Sequence, residues 1–440
     1  MGCNTVDREL IPYTLILMTN TSEAVRALAT KGREAAGVLR AASTTQKNDA
    51  LAAIAVALES NIPAIVEANA RDLERGKDTG LTEALLDRLT LNEERIRGIG
   101  DAVRQLISLA DPVGEVVAGR TLPNGLVVRN VRVPMGVVGM IYEARPNVTV
   151  DAACLALKSG NAVLLRGGSA AEETNVVLVG LMREAIESVG IPADAIASVD
   201  EYGREGATEL MRARGYIDLL IPRGGTGLIQ SVVRESVVPV IETGVGNCHV
   251  FVNADADPAK ALPIVINSKT HRPGVCNAAE TLLLHEGYDE GGAILRALVE
   301  AGVLLHVDSK ARALAEEAGV DAESLVDVSD EDWDAEYLAL EMAVGVVDSI
   351  GTAITHIANH SSGHTDAIVT ESLTDANSFV AAIDSAAVMV NASTRFTDGG
   401  ELGLGAEIGI STQKLHARGP MGLAELTTTT WIVEGSGHVR

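Results

Sequence analysis

The residue best suited to covalent chemistry is Cys276, in the stretch 267–278 (NSKTHRPGVCNA). The Pro-Gly pair before it predicts a tight turn between a helix and a strand. Backbone N–H groups at such a turn stabilise a thiolate and can hold the oxyanion of a tetrahedral intermediate. Arg272 and Lys269 would stabilise the thiolate further. A buried structural cysteine explains the local sequence equally well.

The remaining cysteines indicate a reduced protein rather than a metal or disulfide scaffold. Cys248 begins an apolar strand, so burial explains it better than reactivity, and its neighbour His249 would point to the opposite face. None of the four cysteines forms a CxxC pair, and no HxxH or HExxH spacing occurs. The sequence therefore predicts free thiols, no metal site and a cytoplasmic location.

Two glycine-rich turns form a second candidate site. The turns 166–169 (RGGS) and 223–226 (RGGT) both stand between an apolar strand and a helix. Their N–H groups and arginines suit the binding of phosphate. Neither turn has the GxGxxG pattern, so ordinary turn formation explains each one alone, but two equivalent positions in one sheet favour nucleotide binding.

Glu242 is the candidate general base, because it ends an apolar segment in the sequence IETGVG. A carboxylate placed there would act as a base near the thiol. A lone carboxylate is more often a helix cap or a surface charge, and the residues around it leave both interpretations open.

The elements that must position these residues are helices up to residue 110 and alternating strands and helices from residue 136 onwards. Ser43 or Thr44, and Asn92, are predicted to cap helices in the first part. Near-continuous apolar strands separated by helices imply a parallel sheet covered on both faces, as in doubly wound α/β folds. The predicted strands of this sheet are 136–142, 161–166, 218–223 and 237–242.

A second α/β series begins at about residue 249, and its apolar strands indicate a separate domain. The β-rich tail 427–435 (TTTTWIVEG) would pair with the strands of 114–133 and form an arm that reaches a neighbouring subunit. The predicted parts are a disordered extension (1–17), a cofactor-binding domain (18–113 and 134–248), a catalytic domain (249–400) and an oligomerisation arm (114–133 and 401–440).

Composition argues against some classes of partner. The 440 residues carry a formal net charge of −25, which repels nucleic acid and anionic membranes. The apolar segment 10–18 is too short to span a membrane, and the stretch before it lacks the positive charge of a signal peptide. An anionic substrate would need a local cluster of Arg, Lys or helix N-termini.

Seven blocks of the sequence resemble the γ-glutamyl phosphate reductases, the proline-biosynthesis members of the aldehyde dehydrogenase superfamily. The resemblance runs from about residue 18 to the C-terminus, and the last block, NASTRFTDGGELGLGAEIGISTQKLHARGPMGL, is long and highly specific. The blocks are 133–153, 157–171, 221–229, 239–252, 269–284, 361–370 and 391–423.

The resemblance implies an aldehyde dehydrogenase-like α/β fold, with a cofactor domain, a catalytic domain and a β-arm for homo-oligomerisation. It implies NADPH-dependent reduction of L-glutamyl 5-phosphate to L-glutamate 5-semialdehyde with release of phosphate, the second step of proline biosynthesis from glutamate. The family's nucleophilic cysteine falls on Cys276, which would form a thioester. A transient contact with glutamate 5-kinase is a further expectation.

The resemblance also assigns roles around the thiol. An oxyanion donor follows the first core strand of the superfamily; ungapped alignment puts Arg145 at this position, and a two-residue shift puts Asn147 there. We favour Asn147 because its amide donates a hydrogen bond, whereas Arg145 would hold the substrate's phosphate or carboxylate. Glu242 matches the superfamily's general base, but a reductase gains nothing from thioester hydrolysis, so a structural role and a role in proton transfer are equally expected.

The other predicted contacts are with the cofactor and the substrate. Arg166 would contact the 2′-phosphate of NADPH, and Arg395 would anchor the substrate's α-carboxylate. The predicted cofactor-binding residues are Lys158, Gly160, Arg166, Ser169, Arg223, Gly224 and Gly225. The predicted substrate-binding residues are Arg145, Arg272, Arg395, Gly399 and Gly400.

Two alternative functions fit the same residues. The first is an oxidising semialdehyde dehydrogenase that uses the same cysteine, and phosphate dependence distinguishes it from a reductase. The second is a catalytically silent scaffold for the kinase, which turnover of the purified protein would exclude.

Overall fold

The first part of the chain is helical, as the sequence predicts. The computed structural model describes residues 13–143 and 145–440. Residues 1–12 of the predicted extension 1–17 lie outside the described residues, and the first helix begins at Tyr13, inside the same segment. The helices are α1 (Tyr13–Ala41), α2 (Thr44–Ser60), α3 (Ile62–Asp78), α4 (Glu83–Leu89) and α5 (Glu93–Ser108), and the strands β1 (Val116–Thr121) and β2 (Val127–Pro134) follow.

Side-chain caps fix where two of these helices begin, and both were among the predicted caps. Ser43 Oγ accepts from the Gln46 backbone N–H, and the Gln46 side chain accepts in return from the Ser43 backbone N–H, which forms a capping box. Asn92 Oδ1 accepts from the Arg95 backbone N–H at 2.8 Å. These bonds satisfy amides that a helix leaves without partners at its start.

No single helix among the described residues has the length and apolar composition needed to cross a membrane. The helices α2 and α3 meet that criterion only as a pair, and the pair is bent by 69° at its break.

The described residues up to Ile241, together with Leu423–Arg440, form unit 1, which contains the first predicted parallel sheet. Its further elements are β3 (Val137–Tyr142), α6 (Pro146–Lys158), β4 (Ala162–Arg166), α7 (Glu172–Ser188), β5 (Ile196–Ser198), α8 (Gly203–Arg212), β6 (Leu219–Arg223) and α9 (Thr226–Glu235). The strand order is β5-β4-β3-β6, and every neighbouring pair is parallel. The winding therefore reverses at β3, and ligands of open α/β sheets bind at the carboxyl ends of the strands beside such a point.

The predicted strand 237–242 is wrong. The Leu220 N–H donates to Pro239 O at 2.8 Å and the Ile241 N–H donates to Leu220 O at 3.0 Å, so pairing is limited to one bridge at Val240. Proline has no N–H and cannot extend the ladder. Glu242 therefore follows an extended segment rather than a regular strand.

Glu242–Gly422 form unit 2, which contains the second predicted α/β series. Its elements are β7 (Cys248–Val252), α10 (Pro258–Thr270), β8 (Ala279–His285), α11 (Gly291–Glu300), β9 (Leu304–Val307), α12 (Ser309–Glu317), β10 (Leu325–Asp327), β11 (Glu341–Val347), α13 (Ile350–His360), β12 (Thr365–Val369), α14 (Leu373–Ala382), β13 (Ala387–Val390), β14 (Ile410–Ser411) and β15 (Gly419–Pro420). Seven strands form a parallel sheet of order β10-β9-β11-β8-β7-β12-β13. Val250 and Leu282 pack into the core on one face, whereas Phe251 and Leu283 pack into the core on the other, because neighbouring strand residues alternate in direction.

The tail forms β16 (Thr427–Glu434), which pairs antiparallel with β2 in unit 1. The predicted pairing of the tail with 114–133 is therefore confirmed, within one chain. The resulting sheet has the order β1-β2-β16. Val116, Trp431 and Val433 on its outer strands are half exposed, so part of its apolar surface is open.

The two units divide the chain at positions that differ from the predicted boundaries at 248/249 and 400/401. Residues 401–422 belong to unit 2 rather than to the arm. Glu407 accepts from the Gly399 N–H, and Asp384 forms ion pairs with Lys414 and Arg418, so this segment is fastened to unit 2.

Candidate active site

Cys276 lies in the loop between α10 and β8, where its side chain is half-buried and not part of a disulfide. The backbone of this loop packs directly against Gly246. A β-carbon built at Gly246 would lie 1.7 Å from the Cys276 carbonyl oxygen and 2.5 Å from its Cα. Glycine is therefore required at position 246 for the two segments to meet. The Gly246 N–H donates to Glu336 Oε1 at 2.8 Å, which fixes the supporting segment.

The second thiol of unit 2 supports this loop. Cys248 is fully buried at the start of β7, and its Sγ donates to the Cys276 carbonyl oxygen at 3.2 Å. Burial raises the pKa of Cys248 well above its ordinary value, and the charge of Asp366 adds to the shift. A thiol that stays protonated is a poor nucleophile. The geometry therefore favours Cys276 over Cys248 as the reactive thiol.

Asn277 holds the Cys276 loop from another direction, a role that was not predicted from its sequence. Its Nδ2 donates to Thr397 O at 2.9 Å, and its carbonyl oxygen accepts from Thr394 Oγ1 at 2.7 Å. These buried hydrogen bonds join the loop to the short 3-10 helix Thr394–Phe396, which carries Arg395. In the sequence, the sign of this role was an amide side chain directly after the candidate nucleophile.

Arg395 is the arginine whose charge interacts with the thiol. Arg395 Nε donates to His271 Nδ1 at 3.4 Å. Burial lowers the pKa of Arg395 and Asp398 raises it; among the weaker effects, Arg272 lowers this pKa and negative charge on Cys276 would raise it. Arginine keeps its charge in such surroundings. The structure thus links Arg395 electrostatically to Cys276 and, separately, to Arg272, and Asp398 offsets part of this positive charge.

Lys269 does not supply the charge that its position in the sequence indicates. Its side chain is completely buried, and its Nζ lies 2.6 Å from Oε2 of Glu280, which is equally buried. Burial lowers the pKa of Lys269 and raises the pKa of Glu280 to about 7. Because Glu280 offsets its charge, Lys269 acts in the core of unit 2 rather than on the thiolate.

Glu242 is held by Gln413, which lies 171 positions later in the sequence of unit 2. The Glu242 backbone N–H donates to Gln413 Oε1 at 3.1 Å, and Gln413 Nε2 donates to Glu242 Oε1 at 2.9 Å. Next to this pair, a β-carbon at Gly244 would lie 2.3 Å from Cγ2 of Thr412. This tether restricts the carboxylate, which favours the structural interpretation of Glu242 over proton transfer.

The amides of Gly399 and Gly400, predicted to help anchor a substrate carboxylate, already have carboxylate partners. The Gly399 N–H donates to Glu407 Oε2 at 3.0 Å, and the Gly400 N–H donates to Asp398 Oδ1 at 2.8 Å. Both carboxylates would repel a substrate anion. Arg395 is therefore the stronger candidate for that contact, and the role of the glycine pair stays a prediction.

In unit 1, the two candidate oxyanion donors stand at the start of α6. Arg145 is the N-cap residue, and Pro146 occupies the first turn. Asn147 Nδ2 donates to Asp151 Oδ2 at 3.2 Å, one helical turn further on. Burial raises the pKa of Asp151 to about 6, against the opposing effects of Asn147 and Arg223. The choice between Asn147 and Arg145 stays a prediction.

Lys158 and Gly160, at the end of α6, have structural partners. Lys158 is fully buried, and its Nζ donates to Asn48 Oδ1 at 2.5 Å and to Ile107 O at 3.3 Å. Gly160 follows the helix with a φ of +80°, and a β-carbon there would lie 2.7 Å from Pro134. Packing and helix termination thus explain both residues without the predicted cofactor contacts.

The two glycine turns follow β4 and β6, the strands on either side of β3. In each turn one amide faces a carboxylate. The Gly167 N–H donates to Asp200 Oδ1 at 2.7 Å, and the Gly225 N–H donates to Glu143 Oε1 at 2.7 Å. The predicted side chains nearby are Arg166, whose Nε donates to Gly203 O at 3.2 Å, exposed Ser169 and half-buried Arg223.

Within the described ranges 13–143 and 145–440, no group of three or more His, Cys, Asp or Glu side chains is arranged to hold a metal ion. His249 and His356 of unit 2 instead pack against other rings. The centroids of His249 and His356 lie 5.5 Å apart, and those of Trp333 and His356 lie 4.7 Å apart. Burial lowers the pKa of His356 to about 3, so this ring is neutral at ordinary pH.

The sequence matches the aldehyde dehydrogenase family over residues 15–312. It is 60% identical to the gamma-glutamyl phosphate reductase of Kineococcus radiotolerans over 424 residues, which are 96% of this chain and 98% of that protein. It is 56% identical to the gamma-glutamyl phosphate reductase of Thermobifida fusca over 425 residues, which are 96% of this chain and 100% of that protein.

Solved structures agree with these relatives. The crystal structure of gamma-glutamyl phosphate reductase from Thermotoga maritima is 47% identical and has a TM-score of 0.90, and the match covers 94% of this chain and 99% of that one. The predicted aldehyde dehydrogenase-like α/β fold is thereby confirmed, as is the resemblance noted in the sequence. This chain belongs to the γ-glutamyl phosphate reductases, oxidoreductases of the aldehyde dehydrogenase superfamily.

Proposed function

We propose that this protein reduces L-glutamyl 5-phosphate to L-glutamate 5-semialdehyde and releases phosphate, with NADPH as the reductant. This reaction is the second step of proline biosynthesis from glutamate. The observation that carries the proposal is a half-buried Cys276 that interacts electrostatically with Arg395, in a chain 60% identical to a gamma-glutamyl phosphate reductase.

Cys276 is the proposed nucleophile. Its thiolate attacks the acyl carbon, the bond from that carbon to the phosphate oxygen breaks, and phosphate leaves with the electron pair. Arg272 and Arg395 favour both the anionic substrate and the charged thiolate. The resulting thioester keeps its carbonyl carbon electrophilic. After reduction, the thiohemiacetal oxygen is an alkoxide, whose electron pair re-forms the carbonyl as the carbon–sulfur bond breaks, so that the Cys276 thiolate and the aldehyde are released.

NADPH, when bound, supplies the hydride that reduces the thioester. The carboxyl edge of the sheet in unit 1 fits a dinucleotide, because glycine turns flank β3 and Arg166 and Arg223 end the two adjacent strands. A β-carbon at Gly224 would lie 2.7 Å from Glu143. Because glycine has no side chain, a phosphate can approach the backbone of this turn closely. Arg166 is proposed to favour the 2′-phosphate of NADPH.

We further propose that the protein is a homo-oligomer. The sheet β1-β2-β16 has two outer strands with half-exposed apolar side chains, which a second copy of the chain would cover. A transient contact with glutamate 5-kinase and a cytoplasmic location are proposed from the family resemblance and the free thiols.

The decisive experiment follows the reverse reaction, with L-glutamate 5-semialdehyde and NADP⁺ as substrates. Continuous NADPH formation is expected only when phosphate is added, because phosphate must attack the Cys276 thioester to free the enzyme for another turnover. Cys276→Ala should abolish the reaction, whereas Cys154→Ala, at a buried thiol of unit 1, should retain it.

Two outcomes would reject the proposal. NADPH formation that needs no phosphate would identify an oxidising dehydrogenase, in which water rather than phosphate accepts the acyl group. Equal turnover in wild type and correctly folded Cys276→Ala would remove Cys276 from the mechanism.

A further inference from the structure

Glu143 covers the glycine turn that follows β6. It directly follows β3, and its backbone N–H donates to Arg223 O at 3.1 Å, so the ends of the two strands are joined. Its Oε1 accepts from the Gly225 N–H at 2.7 Å. A β-carbon at Gly224 would lie within 2.8 Å of Cγ, Cδ and Oε1 of Glu143, so the side chain rests on the glycine pair.

The carboxylate of Glu143 occupies a place that has the chemistry of a phosphate site. Gly225 is the N-cap residue of α9, a helix of ten residues whose amides carry partial positive charge at this end. Arg223 adds a full positive charge immediately before the turn. A carboxylate oxygen and a phosphate oxygen accept from such an amide in the same way, and their charges repel each other. Both groups therefore cannot use the Gly225 amide together.

The carboxylate at the other glycine turn behaves differently. Asp200 is partly buried and accepts from both the Gly167 N–H and Asn175 Nδ2, so it is built into unit 1. Glu143 is exposed to solvent. An exposed side chain that leaves one amide can be hydrated at once, so its displacement costs little.

We propose that Glu143 is an internal competitor for the cofactor's diphosphate, which occupies the Gly224–Gly225 turn in the free protein and withdraws when the cofactor binds. This inference rests on the proposed function, since it takes a nicotinamide dinucleotide as the ligand. Glu143 would then weaken the affinity of the protein for the cofactor, whereas a side chain that binds the cofactor would strengthen this affinity.

The test measures the dissociation constant of NADPH for the full-length protein by isothermal titration calorimetry. Glu143→Ala should bind NADPH about threefold to tenfold more tightly, because the turn is then open and the local negative charge is gone. Glu143→Gln should give a smaller gain, since its amide oxygen still accepts from Gly225 without a charge. Glu34→Gln, an exposed glutamate of α1, is the control for net charge and should change nothing.

Unchanged or weaker NADPH binding in folded Glu143→Ala and Glu143→Gln would overturn the proposal, and the isosteric Gln variant decides it if the Ala variant is unstable. Inorganic pyrophosphate is the second probe, and the same order of affinities is expected. If no variant binds NADPH, the proposed function fails, and the pyrophosphate series alone decides the role of Glu143. A crystal structure with NADPH bound and the Glu143–Gly225 hydrogen bond intact would also refute it.

Discussion

The carbonyl group of Cys276 lies against the Cα of Gly246, so that a β-carbon on Gly246 would fall 1.7 Å from the carbonyl oxygen. The contact is between two backbones, and no change of rotamer can relieve an added side chain. Cys248, two residues after Gly246, donates from its thiol to the same oxygen at 3.2 Å. The segment 246–248 therefore forms the base on which the candidate nucleophile rests.

Gly246→Ala should destabilise unit 2 and distort the Cys276 loop. We expect the free energy of unfolding to fall by about 2–4 kcal/mol, because the backbone must move to admit the methyl group. Denaturation followed by the fluorescence of Trp333, which lies in unit 2, measures this loss. Gly37→Ala in α1 is the matched control, since nothing lies within 4 Å of the added carbon. Equal unfolding midpoints for the two variants would contradict the packing argument.

Cys248→Ala should separate support of the loop from catalysis. It removes the hydrogen bond to Cys276 O and leaves a small cavity, so we expect a loss of about 1–2 kcal/mol in stability. Turnover should stay above about one tenth of the wild-type rate, because the reacting thiol is untouched. Steady-state kinetics of Cys248→Ala beside Cys276→Ala tests this. Equal, complete losses of turnover in the two folded variants would contradict the assignment of Cys276 rather than Cys248 as the nucleophile.

The fold and the loop position of Cys276 could be predicted because their signals are local, whereas the role of Cys276 as nucleophile was predicted from the family resemblance. Apolar strands separated by helices predict parallel sheets, and a cysteine after a Pro-Gly turn is visible in twelve residues. Hydrogen-bond partners were not predictable in this way. Gln413 meets Glu242 across 171 positions, and Glu143 meets Gly225 across 82, so folding alone brings these side chains together.

Lys158 shows the opposite limit. Its sequence block resembles a cofactor-binding stretch, but its Nζ donates hydrogen bonds to Asn48 of α2 and to the carbonyl oxygen of Ile107 of α5. The packing of the other helices on α6 determines these partners of Lys158, and no pattern within the sequence block predicts them. Lys269 is a second such case. Its position in the sequence indicates a charge near the thiol, but its side chain is buried and paired with Glu280.

Glu242→Gln should leave reduction of the acyl phosphate within about threefold of wild type in kcat. The new amide oxygen can still accept from Gln413 Nε2, and the reduction needs no activated water. The phosphate-dependent assay measures this, with Gln413→Ala as the companion variant that removes the tether instead. A fall in kcat of about 100-fold or more in Glu242→Gln would show a role in proton transfer.

Arg395→Ala should weaken substrate binding. We expect KM for L-glutamyl 5-phosphate to rise about tenfold to 100-fold, because a charge-assisted contact to an anion is lost. Alkylation of Cys276 by iodoacetamide should also slow, since less positive charge stabilises the thiolate. Arg296→Ala, which removes an exposed cation from α11, is the control for net charge. An unchanged KM would assign the anion contact to another residue.

Asp151→Asn tests the half-buried carboxyl group beside Asn147. Burial raises the pKa of Asp151 to about 6, above its ordinary value of 3.8, so the folded state holds this proton more tightly than the unfolded state. Stability from this group is fully present below the ordinary pKa and is lost as pH rises through about 6. Wild type should therefore lose about 1 kcal/mol more than Asp151→Asn between pH 5 and pH 8, as measured by urea denaturation at both values. Parallel pH profiles for the two proteins would show that Asp151 ionises as readily in the folded chain as in the unfolded one.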